Sequence, residues 1–329
     1  MKVLIGHGSA LEYLRTDSSA LRDPALARMF DAPPPDCVAD PDIVELLGLE
    51  RLGIANKPVH LFAADRRMQR SPSCAICHTP RTFPPRSKFL LATDGVFVSA
   101  PPTTFLHLAP SFSVAQLALL GCELCGSYAV RESEGRTVLE QREPICSSHE
   151  LRSYADMACQ VRAYGARKAA IAARFVLGNA ASPAEAALAL LLTLPSTFGG
   201  FGLPAPLLNY RIDVSGKGRG TPAYRICDAY WPQWGIDLEY DSDLYHTGSD
   251  RIASDAVRRN ELASKGLFII TVTRQQLYDV EGLRKVAEQL AKLMGKRLRI
   301  RVDEFSKKHQ QLRQALLFSD LVPQRRRRG

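Results

Sequence analysis

The clearest periodicity in the chain runs from Tyr224 to His246, YRICDAYWPQWGIDLEYDSDLYH. In its second arm Ile236, Leu238 and Tyr240 alternate with Asp237, Glu239 and Asp241. A period of two sends the apolar set to one face of a strand and the acids to the other. The first arm alternates as well, with Ile226, Asp228 and Tyr230 on a common face, and Pro232 lacks a ladder N–H just where the chain must turn. The pattern predicts a hairpin in which Asp228 faces Glu239 and Glu239 neighbours Asp241. After His246, capping residues at Ser249 or Asp250 and a stop at Lys265 and Gly266 predict one helix. LFIITV then forms a continuous β-branched and aromatic run, the type buried on both faces of a parallel sheet. Strand 235–241, helix 250–265 and strand 267–272 thus predict a right-handed βαβ crossover, with carboxylates at the carboxyl end of its first strand. Open α/β sheets hold ligands at that end. Leu283, Val286, Ala287, Leu290 and Leu293 recur at helical spacing and predict a covering helix.

Upstream, Ser182, Pro183 and Glu185 start a helix that runs to Leu194, with serine at the N-cap, proline at the first position and an acid complementing the helix dipole. A single helix from Ser153 to Val176 is expected to link two halves. Residues 1–55 are helical and irregular by turns. PVHLFAA and FLLATDGVFVSAPP then predict strands. Thr103–Ala109 and a helix capped by Ser113 follow. The expected class is α/β (α+β). Its divisions are a small N-terminal α/β domain over 1–150, a linking helix over 151–178, a mixed sheet flanked by helices over 179–300, and a basic helix and tail over 301–329.

Composition changes this picture in three places. With 329 residues and 46% hydrophobic content the chain can fill two cores, and its strongest apolar run, Ala186–Leu192, is too short to cross a membrane. A soluble cytoplasmic protein is expected, without a membrane partner. The net charge of +9 is uneven: residues 1–164 carry 17 basic and 18 acidic side chains, residues 165–329 carry 26 and 16, and 165–283 balances at 12 against 12. The excess lies after residue 283, in KRLRIR, Lys307, Lys308 and Arg325–Arg328. Such a stretch suits a phosphate backbone or a solubilising tail. Cys74/Cys77 and Cys122/Cys125 have chelating spacing, and Cys146 with His149 adds a further pair. The 44 residues between the two cysteine pairs exceed the ~12–20 of compact zinc modules, so buried thiols are preferred over structural Zn²⁺. His78, His107 and His149 are isolated in sequence and are expected to be ordinary core or surface histidines.

Three clustered carboxylates repel one another unless something positive lies between them. A hard divalent cation is the usual resolution, and a wet polar face is the alternative. Placed in order, Glu185 in SPAEAAL, Asp228 in RICDAYWP, Glu239 and Asp241 in LEYDSDLYH, His246, Asp255 and Arg258 in SDAVRRN, and Thr273 and Arg274 in VTR resemble the PD-(D/E)XK nuclease superfamily. The likeness is to the bacterial branch related to very-short-patch repair endonucleases, over about residues 180–295. It implies a restriction-endonuclease-like domain and a Mg²⁺-dependent (or Mn²⁺-dependent) DNA endonuclease of repair, restriction or defence type. Glu185, Asp228, Glu239, Asp241 and His246 would form its active site, and Asp228, Glu239 and Asp241 would bind the metal. Arg258, Arg259, Arg274, Lys296, Arg297 and Arg299 are the candidate nucleic-acid contacts. Superfamily nucleases commonly place lysine where this chain has Asp241, which shifts the activation of water to the metal or to His246. VFVSAPPTTFLHLAPSFSVAQLALLG is similar to the C-terminal region of AbiEi-type antitoxin and regulator proteins, with His107 in place of the usual acid. The second reading is therefore a non-catalytic, antitoxin-like regulator that binds nucleic acid, a toxin or another protein partner.

Overall fold

A computed structural model describes residues 2–16, 28–34, 36–38, 47–63, 75–79, 83–133, 136–213, 224–241 and 267–318. They divide into two compact units, one built on Met1–Val176 and the other on Leu177–Ser319. Both combine helices with sheets, and mixed parallel and antiparallel pairing makes the chain α/β, as its periodicities predict.

In the first unit β1 (Val3–Ile5), β2 (Met29–Phe30), β3 (Val59–Phe62), β4 (Ala75–His78), β5 (Phe89–Thr93) and β6 (Val96–Ser99) form a sheet of order β2-β5-β6-β1-β3-β4. β1 runs parallel to β6 and antiparallel to β3, and β3 is parallel to β4. The strand VLI is apolar throughout because all three residues are buried. α1 (His7–Leu14) follows β1, α2 (Pro101–Leu108) follows β6, and the two helices pack together. α3 (Val114–Leu124) starts at Ser113 as expected, in a reciprocal capping box with Gln116. Arg15, just past α1, donates to both oxygens of the fully buried Glu123 in α3, at 2.7 Å each.

The expected single linking helix is two helices, α4 (Ser148–Gln160) and α5 (Ala166–Ala173). The break is local: Arg162 and Gly165 both take left-handed backbone, at φ 56° and 79°. Both helices pack within the first unit, α4 on α2 and α5 on α3, instead of joining two halves. A separate antiparallel pair, β7 (Tyr128–Ser133) and β8 (Arg136–Gln141), lies between α3 and α4 in sequence.

The second unit opens with α6 (Pro183–Thr193), whose run Ala186–Leu192 is entirely buried, which is why it carries no polar face. β9 (Leu207–Asp213), β10 (Tyr224–Trp231), β11 (Ile236–Asp241) and β12 (Phe268–Thr273) form a sheet of order β12-β11-β10-β9. β9, β10 and β11 are antiparallel neighbours, and β11 pairs parallel with β12. That parallel pairing is the strand half of the predicted crossover; the helix expected at 250–265 lies outside the described residues. α7 (Arg274–Tyr278) and α8 (Val280–Leu293) follow, the latter burying Leu283, Val286, Ala287 and Leu290 as its spacing predicts. α9 (Phe305–Leu317) packs against α6 and the Ser196–Phe198 turn, burying Leu312 and Leu316. The basic C-terminal segment thus contributes a helix to this unit's core.

Candidate carboxylate site

The first turn of α6 positions Glu185. Its backbone N–H donates to Ser182 Oγ, while its own Oε1 accepts from the Ser182 hydroxyl at 2.9 Å. Oε2 accepts from the Ala181 amide at 3.0 Å and from Asn209 Nδ2 at 2.8 Å. Asn209 lies on β9 with φ 45°, and its amide also donates to the Asn179 carbonyl. The β9–β10 ladder pairs Cys227 with Tyr210 and Ala229 with Leu208, and skips the intervening Asp228 and Asn209. Freed from the ladder there, Asn209 reaches the α6 carboxylate.

Asp228 occupies the matching irregularity on β10. The last register pair toward it is Ala229 with Leu238, and Asp228 Oδ2 takes the next free amide, that of Tyr240, at 2.8 Å. Burial first, then the charges of Glu185 and Glu239, push the Asp228 carboxyl up to about 6, against the opposing Tyr240 N–H and Arg225. Helix α6 and strands β10 and β11 therefore place three acids in one electrostatic neighbourhood.

The positive charge among them is a protein side chain. Arg225 Nε donates to Asp237 Oδ2 at 2.9 Å, and its Nη2 bonds Glu239 Oε1. Burial opposes the charge on Arg225, but Glu239 and Asp237 outweigh it and hold the guanidinium above its ordinary pKa. Strict alternation places Ile226 beside Asp228 and Tyr230; instead Ile226 is exposed, and Arg225 reaches the acids past the irregularity at Asp228. Asp237 also departs from the expected wet face. It is fully buried, its carboxyl is shifted upward by burial against the pull of Arg225, and its Oδ1 has no hydrogen-bond partner among the described residues.

The remaining candidates are dispersed. Asp241 ends β11 half-buried, in register with Thr273. His246, Arg258 and Arg259 lie outside the described residues, as does Cys74. Arg274 opens α7 exposed, with its guanidinium 5.7 Å from the Tyr278 ring, and Lys296 lies 5.3 Å from the Trp234 ring. Arg297 and Arg299 are exposed in the irregular segment after α8. Cys77 is on β4, whereas Cys122 and Cys125 are buried at the end of α3, where Cys125 Sγ lies 3.6 Å from Cys146 Sγ. None of these four cysteines forms a disulfide.

Among the described residues, the acids of the second unit do not bring three ligand oxygens within metal-binding reach of one another. A group that does so occurs in the first unit, where His7, His60 and His78 converge. The expectation of isolated histidines at positions 78 and 107 is thereby corrected. His78 stacks on His7 at 3.9 Å between ring centroids, and His107 on His7 at 5.1 Å. No sequence spacing could have found this group, because its members come from α1, β3, β4 and α2, and only the sheet order joins them. What defines the second unit is a mixed-sheet α/β domain with carboxylates clustered on adjoining strands and the helix that precedes them. No protein-family model, curated protein or solved structure matches the chain.

Proposed function

We propose that the second unit is a divalent-metal-dependent endodeoxyribonuclease of the PD-(D/E)XK type. The observation that carries this reading is that Glu185 and Glu239, from α6 and β11, both act on the charge of Asp228 on β10, with the Arg225 guanidinium bound to Glu239 as the counter-charge. Oxygen-only donors suit Mg²⁺ or Mn²⁺. Asp228 and Glu239 would hold the ion, with Asp241 at the strand end as a further donor. When bound, the metal supplies Lewis-acid polarisation of a phosphoryl oxygen and a more acidic water. Glu185 is committed to its cap and to Asn209, so its part is to hold negative charge beside Asp228. Arg225 keeps Glu239 oriented and limits the repulsion among the acids while no ion is present. Exposed Arg274, Arg297 and Arg299 supply charge toward the phosphate backbone.

Incubation of the purified protein with plasmid and single-stranded DNA in Mg²⁺ or Mn²⁺ tests the reading. Cleavage by the parent chain is expected to fall at least about 100-fold in Glu239→Ala. Equal cleavage by both proteins, or none by either, sinks it.

The ion pair of Arg225 with Asp237 and Glu239 supports a second reading, in which the acids are a structural network and the unit binds nucleic acid or a protein partner without cutting. That reading expects salt-sensitive DNA binding without divalent metal, weakened when Lys296, Arg297 and Arg299 are changed together to glutamine. Binding that needs metal and ignores this triple change counts against it.

A further inference from the structure

The histidine group of the first unit is independent of the carboxylates and has a different donor chemistry. His7 is the first residue of α1, held at φ 50° as the chain turns from β1 into the helix. The turn is closely packed: a Cβ on Gly6 would lie 2.1 Å from the Phe62 ring, so only glycine lets β1 deliver His7 over that ring. His60 lies on β3, tied to the same turn because Gly6 N donates to its carbonyl and its own amide donates to Ser9 Oγ at 3.0 Å. His78 ends β4, in register with Phe62 on the parallel neighbour β3. His107 projects from the last turn of α2, and its ring stacks on that of His7 at 5.1 Å between centroids.

These imidazoles are crowded and short of partners. His60 Nδ1 and His78 Nε2 are 3.0 Å apart, so one must donate and the other accept. One candidate nitrogen each from His7, His60 and His78 lies within 4.8 Å of the others. The buried Nδ1 of His107 has no hydrogen-bond partner among the described residues. Phe62 and Phe83 pack around the group, with Phe62 4.8 Å from His107 and 5.4 Å from His78. All four rings favour the neutral, ligating form, His60 because of burial and the other three because of burial and then of neighbouring histidines: His78 is lowered to about 4 and His107 to about 3.

Two nitrogens that each bind Zn²⁺ at ~2.0–2.1 Å in tetrahedral geometry lie about 3.3 Å apart, a few tenths beyond the His60–His78 contact. An ion could replace that hydrogen bond with little movement of either strand. The donor set is imidazole nitrogen alone, without a carboxylate or thiolate, which disfavours Mg²⁺ and suits late first-row divalent ions. The stacked ring of His107 restricts the orientation of the His7 ring, the part that outer-shell partners play at metal sites. His7, His60 and His78 are each only half-buried, so an ion and a solvent molecule can reach them.

We propose that His7, His60 and His78 form a three-histidine site for a late first-row divalent metal, Zn²⁺ foremost, with a fourth position left to solvent, and that His107 positions His7. The test is titration of the chelator-stripped full-length protein with Zn²⁺ by calorimetry, together with the absorption spectrum of its Co²⁺ form. The expected results are one Zn²⁺ per chain in this site, a loss of affinity of at least about 100-fold in His60→Gln and in His78→Gln, and Co²⁺ bands without a thiolate-to-metal transition. Circular dichroism of the stripped variants checks that the sheet survives. If either variant fails to fold, His7→Gln and the parent Co²⁺ spectrum decide. Absence of Zn²⁺ binding, affinity unchanged by the folded histidine variants, or a thiolate band overturns the proposal.

Discussion

At the scale of single residues, Asp228 and Arg225 matter most. Asp228 binds its proton more tightly in the folded chain, near 6, than an unfolded aspartate does at ~3.9. Between those values the native state holds more protons at this carboxyl, so the contribution of Asp228 to stability is fully present below about pH 4 and is lost as the pH rises through about 6. Asp228→Asn keeps an oxygen for the Tyr240 amide and removes the buried charge. It is expected to stabilise the second unit by about 1 kcal/mol at pH 8, after allowance for solvent screening, and to have little effect at pH 4. Urea unfolding at the two pH values checks this. The same variant should abolish metal-dependent cleavage, a gain in stability at the expense of function that marks a site residue. The acids at 228, 237 and 239 were legible from alternation, but the role of Arg225 was not. A ladder irregularity at Asp228 and Asn209 leaves no composition signal, and it decides which side chain reaches the acids.

Among the elements, the two arginine–carboxylate sites behave oppositely. Glu123 is enclosed between α1 and α3, accepts from Arg15 twice, and also accepts the Val130 amide. Removing one partner strands the other charge without water, so Glu123→Ala is expected to destabilise the first unit by about 3–5 kcal/mol. Glu239 is 35% exposed, and Glu239→Ala should cost below about 1 kcal/mol. Thermal unfolding of both variants compares them directly. Helix α9 depends on a close approach: Gly199 has φ 93°, a Cβ there would lie 2.4 Å from the Lys308 carbonyl oxygen, and the Gly199 carbonyl meets His309 Nδ1 at 2.7 Å. Gly199→Ala is expected to loosen α9 and cost about 2 kcal/mol or more, read as faster proteolysis after Lys307 and Lys308.

On the scale of the whole molecule, the chain carries two units with different side-chain clusters, histidines converging in the first and carboxylates on adjoining elements in the second. The basic excess near the C-terminus is divided between an exposed segment and a helix with a structural duty. Lys296, Arg297 and Arg299 are exposed, whereas α9 buries His309, Leu312 and Leu316. A truncation after Lys307 would therefore remove core as well as charge, and the triple glutamine change is the cleaner probe of phosphate contact. No helix among the described residues is long and apolar enough to cross a membrane.

The sequence by itself determined the α/β class, the strand–strand hairpin at Asp228 and Glu239, the parallel partner LFIITV, and the caps at Ser113 and Ser182. Each rests on local periodicity or on hydrogen bonds within a few residues. Tertiary structure alone decided what those elements bring together. The break at Gly165 turned one expected helix into two, and Arg225 became the counter-charge of the acids. Histidines that are far apart in the chain meet because β1 lies beside β3, and β3 beside β4. Periodicity shows which face a residue takes, but the neighbour across that face depends on strand order and ladder irregularities, which form only when distant segments pair.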